Sequence, residues 1–151
     1  MIVKDEEDVL ERALSSIKDI ADEIIIVDTG STDMTKEIAA KFTDKIFDFE
    51  WCDDFSKARN YSFSKATQDY CMWLDADDDL LEADQKELMK LKETLSPETS
   101  VVMMRYNTGF DNDGKPTFTY YRERLLRRED QFYWEGFVHE VISPRGRMEY
   151  S

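Results

Sequence analysis

The sequence predicts an α/β fold with a Rossmann-like half followed by a smaller mixed-sheet half. Short apolar runs alternate with helical patterns over residues 1–100, which is typical of βα units and a mixed, mainly parallel sheet. One of these runs, residues 70–74, passes directly into a cluster of aspartates. Beyond residue 100 two longer strand-like runs flank a polar turn. With 151 residues, 41% of them hydrophobic, we expect one domain, residues 1–151.

The first unit is a strand end followed by a helix. Met1–Lys4 has three apolar residues, too few for a central parallel strand, so we expect the chain to begin inside a domain. The acidic run from Asp5 to Asp8 suits the positive end of a helix. Apolar residues then recur at helical spacing, at Val9, Leu10, Ala13, Leu14 and Ile17.

The second unit is a β-branched strand, residues 23–27, which ends at Asp28. A short loop containing Gly30 precedes a helix predicted from Asp33 to Lys41. A strand, a glycine-containing loop and a helix N-terminus make up the usual plan of a nucleotide site. A plain turn between strand and helix explains this segment equally well.

A third short strand is predicted at residues 45–49, and Asp53 or Asp54 begins the helix that follows. Arg59 lies near the start of this helix. It could reach a phosphate or a base, or pair with one of the nearby carboxylates. The apolar side of the helix is predicted to carry Phe55, Ala58, Phe63 and Ala66.

The aspartates after residues 70–74 predict a cation site. In an extended strand Asp75 and Asp77 point to the same side, roughly 6–7 Å apart, and could share one divalent ion. Two hard oxygen donors without a thiolate suit Mg²⁺ or Mn²⁺. The alternative is an acidic start to the helix predicted at residues 81–95, a role that suits Asp79. A calcium loop is excluded, because its glycine and glutamate positions hold Leu80 and Lys86.

The last third predicts a hairpin and a second group of functional candidates. Strands at residues 101–106 and 118–124 flank the turn at 111–114. The arginines that follow (Arg122, Arg124, Arg127 and Arg128) either balance the acidic half or include one that faces a phosphate.

Glu135 lies among the aromatic residues of segment 132–140, where partial desolvation would raise its pKa and make it a usable proton acceptor. An edge glutamate paired with an arginine is the alternative. His139 is the only histidine and could turn toward the metal or serve a structural role. After Pro144 the chain becomes polar and ends without a closing helix, so we expect the C-terminus also to be cut.

Charge and composition limit the partners. The net charge is −14, and residues 1–100 carry 12 Lys and Arg against 26 Asp and Glu, whereas residues 101–151 carry 8 of each. The acidic half argues against nucleic acid as a partner. No apolar run is long enough for a transmembrane segment and no signal peptide is evident, so a cytoplasmic location is expected. Cys52 and Cys71 fit no metal spacing and are expected to be reduced.

Five segments in the same order resemble the inverting family-2 glycosyltransferases of the GT-A fold. They are Met-Ile-Val-Lys-Asp-Glu-Glu at 1–7, Ile-Ile-Val-Asp-Thr-Gly-Ser-Thr-Asp at 25–33, Phe-Ser-Lys-Ala-Arg-Asn at 55–60, Trp-Leu-Asp-Ala-Asp at 73–77 and Gly-Phe-Val-His-Glu at 136–140. The sequence is most similar to the bacterial branch that includes β-1,4-glucosyltransferases of lipooligosaccharide cores, enzymes of cell-envelope polysaccharide biosynthesis.

The resemblance implies roles for particular residues. Uracil and ribose of a UDP-sugar would be held by Val3, Lys4, Glu6 and Asp28, and Arg59 would also contact the nucleotide. Asp75 and Asp77 would form the Asp-X-Asp motif that holds Mn²⁺ or Mg²⁺, with Asp77 the direct ligand and His139 near the cation or diphosphate. The family's catalytic base, usually an aspartate, corresponds to Glu135, and Glu140 is the substitute candidate.

The implied reaction is metal-dependent, inverting transfer of a hexose from a nucleotide sugar to a saccharide, a lipid-linked molecule or a protein. Residues 1–100 would bind the donor, residues 101–151 would form part of the acceptor side, and the full-length protein could associate peripherally with a membrane. Three alternatives remain: a nucleotidyltransferase, which would need a Gly-rich basic loop where Lys4–Glu7 stands; a receiver domain; and a binding module without catalysis.

Overall fold

The computed structural model describes residues 1–151 and contains an N-terminal parallel sheet. Its strands are β1 (Ile2–Val3), β2 (Ile26–Asp28) and β3 (Ile46–Asp48), paired in that order and all parallel. The strands are shorter than the apolar runs predict. Their carboxyl ends lie at one edge of the sheet, which brings the loop after Val3 beside the loop after Asp28.

Four α-helices accompany the strands, in the order that the sequence predicts. They are α1 (Leu10–Ile17), α2 (Thr35–Ala39), α3 (Phe55–Ser64) and α4 (Glu82–Thr94). Of the two proposed starts for α3, Asp54 is the one used, since its side chain accepts a hydrogen bond from the Lys57 amide at 3.2 Å. Ala58 faces the interior, whereas Phe55 is partly exposed. None of the helices is long and apolar enough to cross a lipid bilayer.

A second, mixed sheet is built on the predicted hairpin. Strands β5 (Thr99–Phe110) and β6 (Pro116–Arg127) are longer than predicted and pair antiparallel. Strand β4 (Tyr70–Met72) pairs antiparallel with β6, so the run that leads to the aspartates belongs to the sheet of the hairpin. The pairing at β4 therefore joins the middle of the sequence to the C-terminal hairpin.

The apolar run at 70–74 is divided between strand and core. Residues 70–72 form the half-buried strand, whereas Trp73 and Leu74 follow it and are buried. Trp73 packs in a cluster with residues of the hairpin, and Ala76 packs with the N-terminal βα units. The chain thus crosses from one core to the other between residues 73 and 76, and this crossing anchors the chain on both sides of Asp75.

The C-terminal segment adds strands that the sequence did not predict. Trp134–Glu135 (β7) pairs with Val141–Ile142 (β8), which makes residues 136–140 a tight connection. Arg147–Tyr150 (β9) pairs parallel with β5, although the segment after Pro144 reads as polar. A polar edge strand gains its stability from main-chain pairing, which leaves little hydrophobic pattern in the sequence.

Candidate functional site

The loops after β1 and β2 are held together by reciprocal hydrogen bonds between side chains and main chain. The Asp5 amide donates to Ser31 Oγ at 2.9 Å, and the Thr32 amide donates to Asp5 Oδ1 at 2.7 Å. The Glu6 amide donates to Thr35 Oγ1 at 2.7 Å. These bonds fix the shape of the rim where the sequence predicts nucleotide binding.

Asp28 lies at the centre of this rim and is 1% exposed. Its Oδ1 accepts hydrogen bonds from the amides of Gly30 and Ser31, both at 2.9 Å. Gly30 has a φ of 112°, a conformation that favours glycine. Asp28 Oδ2 is buried without a hydrogen-bond partner. A plain turn between strand and helix therefore explains the hydrogen bonds of Asp28 Oδ1. The second oxygen, Oδ2, remains available to a hydrogen-bond donor.

The other predicted contacts of this rim, Val3, Lys4 and the half-buried Glu6, differ in exposure. Val3 is buried, and its carbonyl accepts a hydrogen bond from the Thr29 amide at 3.0 Å. Lys4 is exposed. The structure thus brings Val3 and Asp28 into one rim, whereas the side chain of Lys4 is turned to solvent.

The aspartates after β4 form a turn instead of an extended strand end. The Asp78 amide donates to the Asp75 carbonyl at 3.1 Å, and the Asp75 amide donates to Asp78 Oδ2 at 3.0 Å. Ala76 is buried inside the turn, whereas Asp77 is exposed and forms no ion pair. The prediction that Asp75 and Asp77 extend together along a strand is thus wrong in its local geometry, because the chain bends after Leu74.

Arg59 joins this turn to the C-terminal segment. Its Nη2 donates to Asp75 Oδ1 at 2.7 Å, and its Nε donates to Glu140 Oε1 at 2.5 Å. The guanidinium carbon lies 5.3 Å from the ring centre of Trp73 and 4.7 Å from that of Trp134. The side chain of Arg59 is only 11% exposed. The alternative in which Arg59 pairs with nearby carboxylates is therefore the one that the structure shows.

The two proposed bases have different surroundings. Glu140 is half-buried beside Arg59. Glu135 is exposed, because it alternates in β7 with the buried Trp134 and so points to the opposite face. The predicted desolvation of Glu135 among aromatic residues is therefore wrong.

The predicted metal ligands do not form a three-ligand cluster. His139 is exposed and has a φ of 57°, and no group of three or more His, Cys, Asp or Glu side chains is gathered closely enough to hold a metal ion. A position of His139 near the cation or the diphosphate stays a prediction. Mg²⁺ or Mn²⁺ bound through one or two carboxylates plus substrate phosphates does not need a third protein ligand.

The charges around the turn suit such a cation. Partial burial, and then the negative charges of Asp77, Asp33 and Asp75, raise the pKa of Glu6 above its usual value. Like charges so placed repel one another unless a cation lies between them. Asp77, with no competing ion pair, and Asp75 are the carboxylates that would hold it.

We expect the Asp77→Asn substitution to lower the pKa of Glu6 toward its ordinary value. Because this pKa is raised by folding, ionisation of Glu6 costs stability as the pH rises from the unfolded to the folded pKa. Removing the negative charge of Asp77 should reduce this loss of stability. Carboxyl ¹³C NMR titration measures the effect, with Asp84→Asn on α4 as the control. A Glu6 pKa that does not fall would contradict this electrostatic account.

Several residues of this site were not identified as functional from the sequence. Trp73 and Trp134 enclose Arg59, while Asp78 accepts hydrogen bonds from Tyr106 and Arg124. Trp73 lies just before the aspartates in sequence, and this position was the one signal that could have identified it as part of the site. The other contacts join residues distant in sequence and leave no local pattern.

Sequence comparison identifies a family that matches nearly the whole chain and relatives that match about half of it. Residues 1–146 match the family described as "Glycosyl transferase family 2". A TPR repeat-containing protein of Synechococcus elongatus is 48% identical over 81 residues, which is 54% of this chain and 20% of that protein. The glycosyltransferase SunS of Bacillus subtilis is 39% identical over 79 residues, 51% of this chain and 19% of SunS. An uncharacterized glycosyltransferase of Rickettsia typhi is 34% identical over 88 residues, 58% of this chain and 30% of that protein.

Solved structures share the fold over more of the chain. Staphylococcus aureus TarS (residues 1–349), in complex with UDP-GlcNAc, superposes with a TM-score of 0.69 at 17% identity, covering 99% of this chain and 54% of that one. Mycobacterium tuberculosis glucosyl-3-phosphoglycerate synthase, in complex with UDP, gives 0.60 at 16% identity, covering 85% and 55%. The chain thus spans about half of these structures. Together with the family match, the fold shows that this chain belongs to the family-2 glycosyltransferases and has the GT-A fold.

Proposed function

We propose that this chain carries the donor site of an inverting glycosyltransferase that uses a UDP-sugar and a divalent cation, Mn²⁺ or Mg²⁺. The supporting observation is the double ion pair of Arg59. Its partners Asp75 and Glu140 come from the aspartate turn and from the C-terminal connection, 16 and 81 residues away in sequence. One buried guanidinium thus unites the donor-side and acceptor-side candidates in a single site.

The nucleotide would occupy the rim formed by the loops after β1 and β2. Asp28 Oδ2, buried and without a partner, can accept a hydrogen bond from an N–H or hydroxyl of the nucleoside. Uridine is the favoured nucleoside because the two structural neighbours described above contain UDP or UDP-GlcNAc. Asp75 and Asp77 would hold the cation that neutralises charge on the departing diphosphate.

In the proposed reaction an acceptor hydroxyl attacks the anomeric carbon. The new carbon–oxygen bond forms on the face opposite the bond to the diphosphate, which breaks with its electron pair, and the configuration inverts. The hydroxyl proton passes to a carboxylate. We assign this role to Glu140, because Arg59 engages its Oε1 and leaves Oε2 free, whereas Glu135 points away from Arg59.

The acceptor is proposed more broadly, as a saccharide, a lipid-linked molecule or a protein. The chemistry of the donor does not determine which acceptor is used. In addition, the chain spans about half of the solved structures that it resembles. A cytoplasmic location, with peripheral membrane association of the full-length protein, is part of this proposal.

A nucleotide-sugar panel scored by donor hydrolysis tests the function. With Mn²⁺ present, we expect a UDP-hexose to be hydrolysed faster than GDP- and ADP-hexoses, and EDTA to remove the activity, because the departing diphosphate needs charge neutralisation. Binding of UDP without hydrolysis of any donor would favour the alternative of a non-catalytic binding module. If the protein neither bound nor hydrolysed any nucleotide sugar, the result would contradict the proposal.

A further inference from the structure

Asp78, which the cation proposal leaves without a role, makes more contacts than any other aspartate of the turn. Its Oδ2 accepts hydrogen bonds from the Asp75 amide at 3.0 Å and from Arg124 Nη2 at 2.6 Å. Its Oδ1 accepts one from the Tyr106 hydroxyl at 2.9 Å. The side chain is 10% exposed. Asp78 is therefore fully engaged by the protein and is not a free ligand.

Arg124 reaches Asp78 because of an irregularity in the hairpin. Val102 and Met103 are adjacent in β5 but lie opposite Leu125 and Glu123 of β6, so Arg124 has no cross-strand partner. Such a bulge turns the side chain away from the regular alternation. Arg124 is consequently buried, with 5% of its side chain exposed, and its guanidinium carbon lies 4.0 Å from the ring centre of Trp73.

This arrangement makes the hairpin responsible for the shape of the aspartate turn. Arg124 and Tyr106, from β6 and β5, hold the carboxylate that in turn holds the Asp75 amide. The residue that the turn leaves exposed and without an ion pair is Asp77. A shift of Asp78 would therefore alter the separation and direction of the Asp75 and Asp77 carboxylates.

We propose that Asp78 and Arg124 are positioning residues that set the Asp75–Asp77 turn for a divalent cation, without contacting the cation themselves. The inference rests on the proposed function, since it presupposes that Asp75 and Asp77 hold the cation. It assigns the control of cation affinity to a bulge in the acceptor-side half of the chain. The bulge thus couples the two halves.

Two measurements on Asp78→Asn and Arg124→Lys test this. In the cation-free protein, NMR hydrogen exchange should show loss of protection at the Asp75 amide. In the presence of UDP, electron paramagnetic resonance of free Mn²⁺ should show affinity weakened by about 10–100-fold, the range for residues that orient metal ligands. Tyr106→Phe removes only one hydroxyl and should give a smaller change in the same direction.

Asp130→Asn is the matched control. Asp130 forms a two-point pair with Arg127, at 2.8 and 2.9 Å, and does not contact the turn. The Asp130→Asn substitution should leave unchanged both the hydrogen-exchange protection of the Asp75 amide and the affinity for Mn²⁺. If Asp78→Asn does not fold, the milder Tyr106→Phe and Arg124→Lys variants decide.

The outcomes separate this inference from the proposed function. If the folded Asp78→Asn and Arg124→Lys variants bound Mn²⁺ as tightly as the wild-type protein, this inference would be overturned but the proposed function would not. An equal loss of affinity in Asp130→Asn would also overturn it, because the effect would then be general destabilisation. Failure of the wild-type protein to bind Mn²⁺ with UDP would overturn the proposed cation role, and this inference with it.

Discussion

Replacing Asp77 with asparagine is expected to lower the cation-dependent rate of donor hydrolysis by at least about 100-fold, with little change in thermal stability. The rate should fall because a neutral amide is a much poorer ligand for Mg²⁺ or Mn²⁺ than a carboxylate, and the leaving diphosphate then loses its charge stabilisation. Stability should be retained because Asp77 is exposed and forms no ion pair. Steady-state hydrolysis of the preferred donor and a thermal melt measure the two effects.

Asp79→Asn provides the control for this prediction. Asp79 also follows the turn, and its only ion pair is a 3.8 Å contact with the exposed side chain of Arg12. It should keep hydrolysis near the wild-type rate. Equal losses in Asp77→Asn and Asp79→Asn would show that the general negative charge of the segment matters, and would count against a specific cation ligand.

Arg59→Ala should produce the largest loss of stability of any single substitution in the site. It removes the shared partner of two carboxylates and the group that packs against Trp73 and Trp134. Breaking a buried pair by deleting one partner typically costs about 3–5 kcal/mol. For a chain of this size we expect a fall in melting temperature of about 10 °C.

Arg59→Lys separates charge from geometry. Lysine keeps one positive charge but cannot donate to Asp75 and Glu140 through a planar fork, and it stacks less well on indole rings. We expect a melting temperature between those of the wild-type protein and Arg59→Ala. A wild-type melting temperature for Arg59→Ala would contradict the view that this residue joins the two parts of the site.

The parts of the fold that depend on local pattern were predictable. The periodicity of α1, an aspartate cap for α3 at Asp53 or Asp54 and the polar turn of the hairpin are each specified within a few residues of sequence. Their order, with the five motif segments, was enough to identify the family that the comparison then confirmed. The short polar strand β9 lacked such a pattern and was missed.

The parts of the site that depend on distant contacts were not predictable. The bulge at Arg124 brings this residue to Asp78 and Trp73, and the bend after Leu74 separates the surroundings of Asp75 and Asp77. Glu135 lies among aromatic residues in sequence but points to solvent, because alternation in a two-residue strand decides its direction. In each case tertiary packing determines which face is buried.

The most direct test of the account is the thermal shift produced by UDP with Mn²⁺. At a UDP concentration of 100 times the dissociation constant, binding should add about 2.7 kcal/mol, which corresponds to a rise in melting temperature of about 5–10 °C. We predict that EDTA and Asp77→Asn each remove the cation-dependent part of this rise. No shift with UDP and Mn²⁺, or a shift that is the same in Asp77→Asn, would contradict the assignment of this turn as the cation-bearing part of a nucleotide-sugar site.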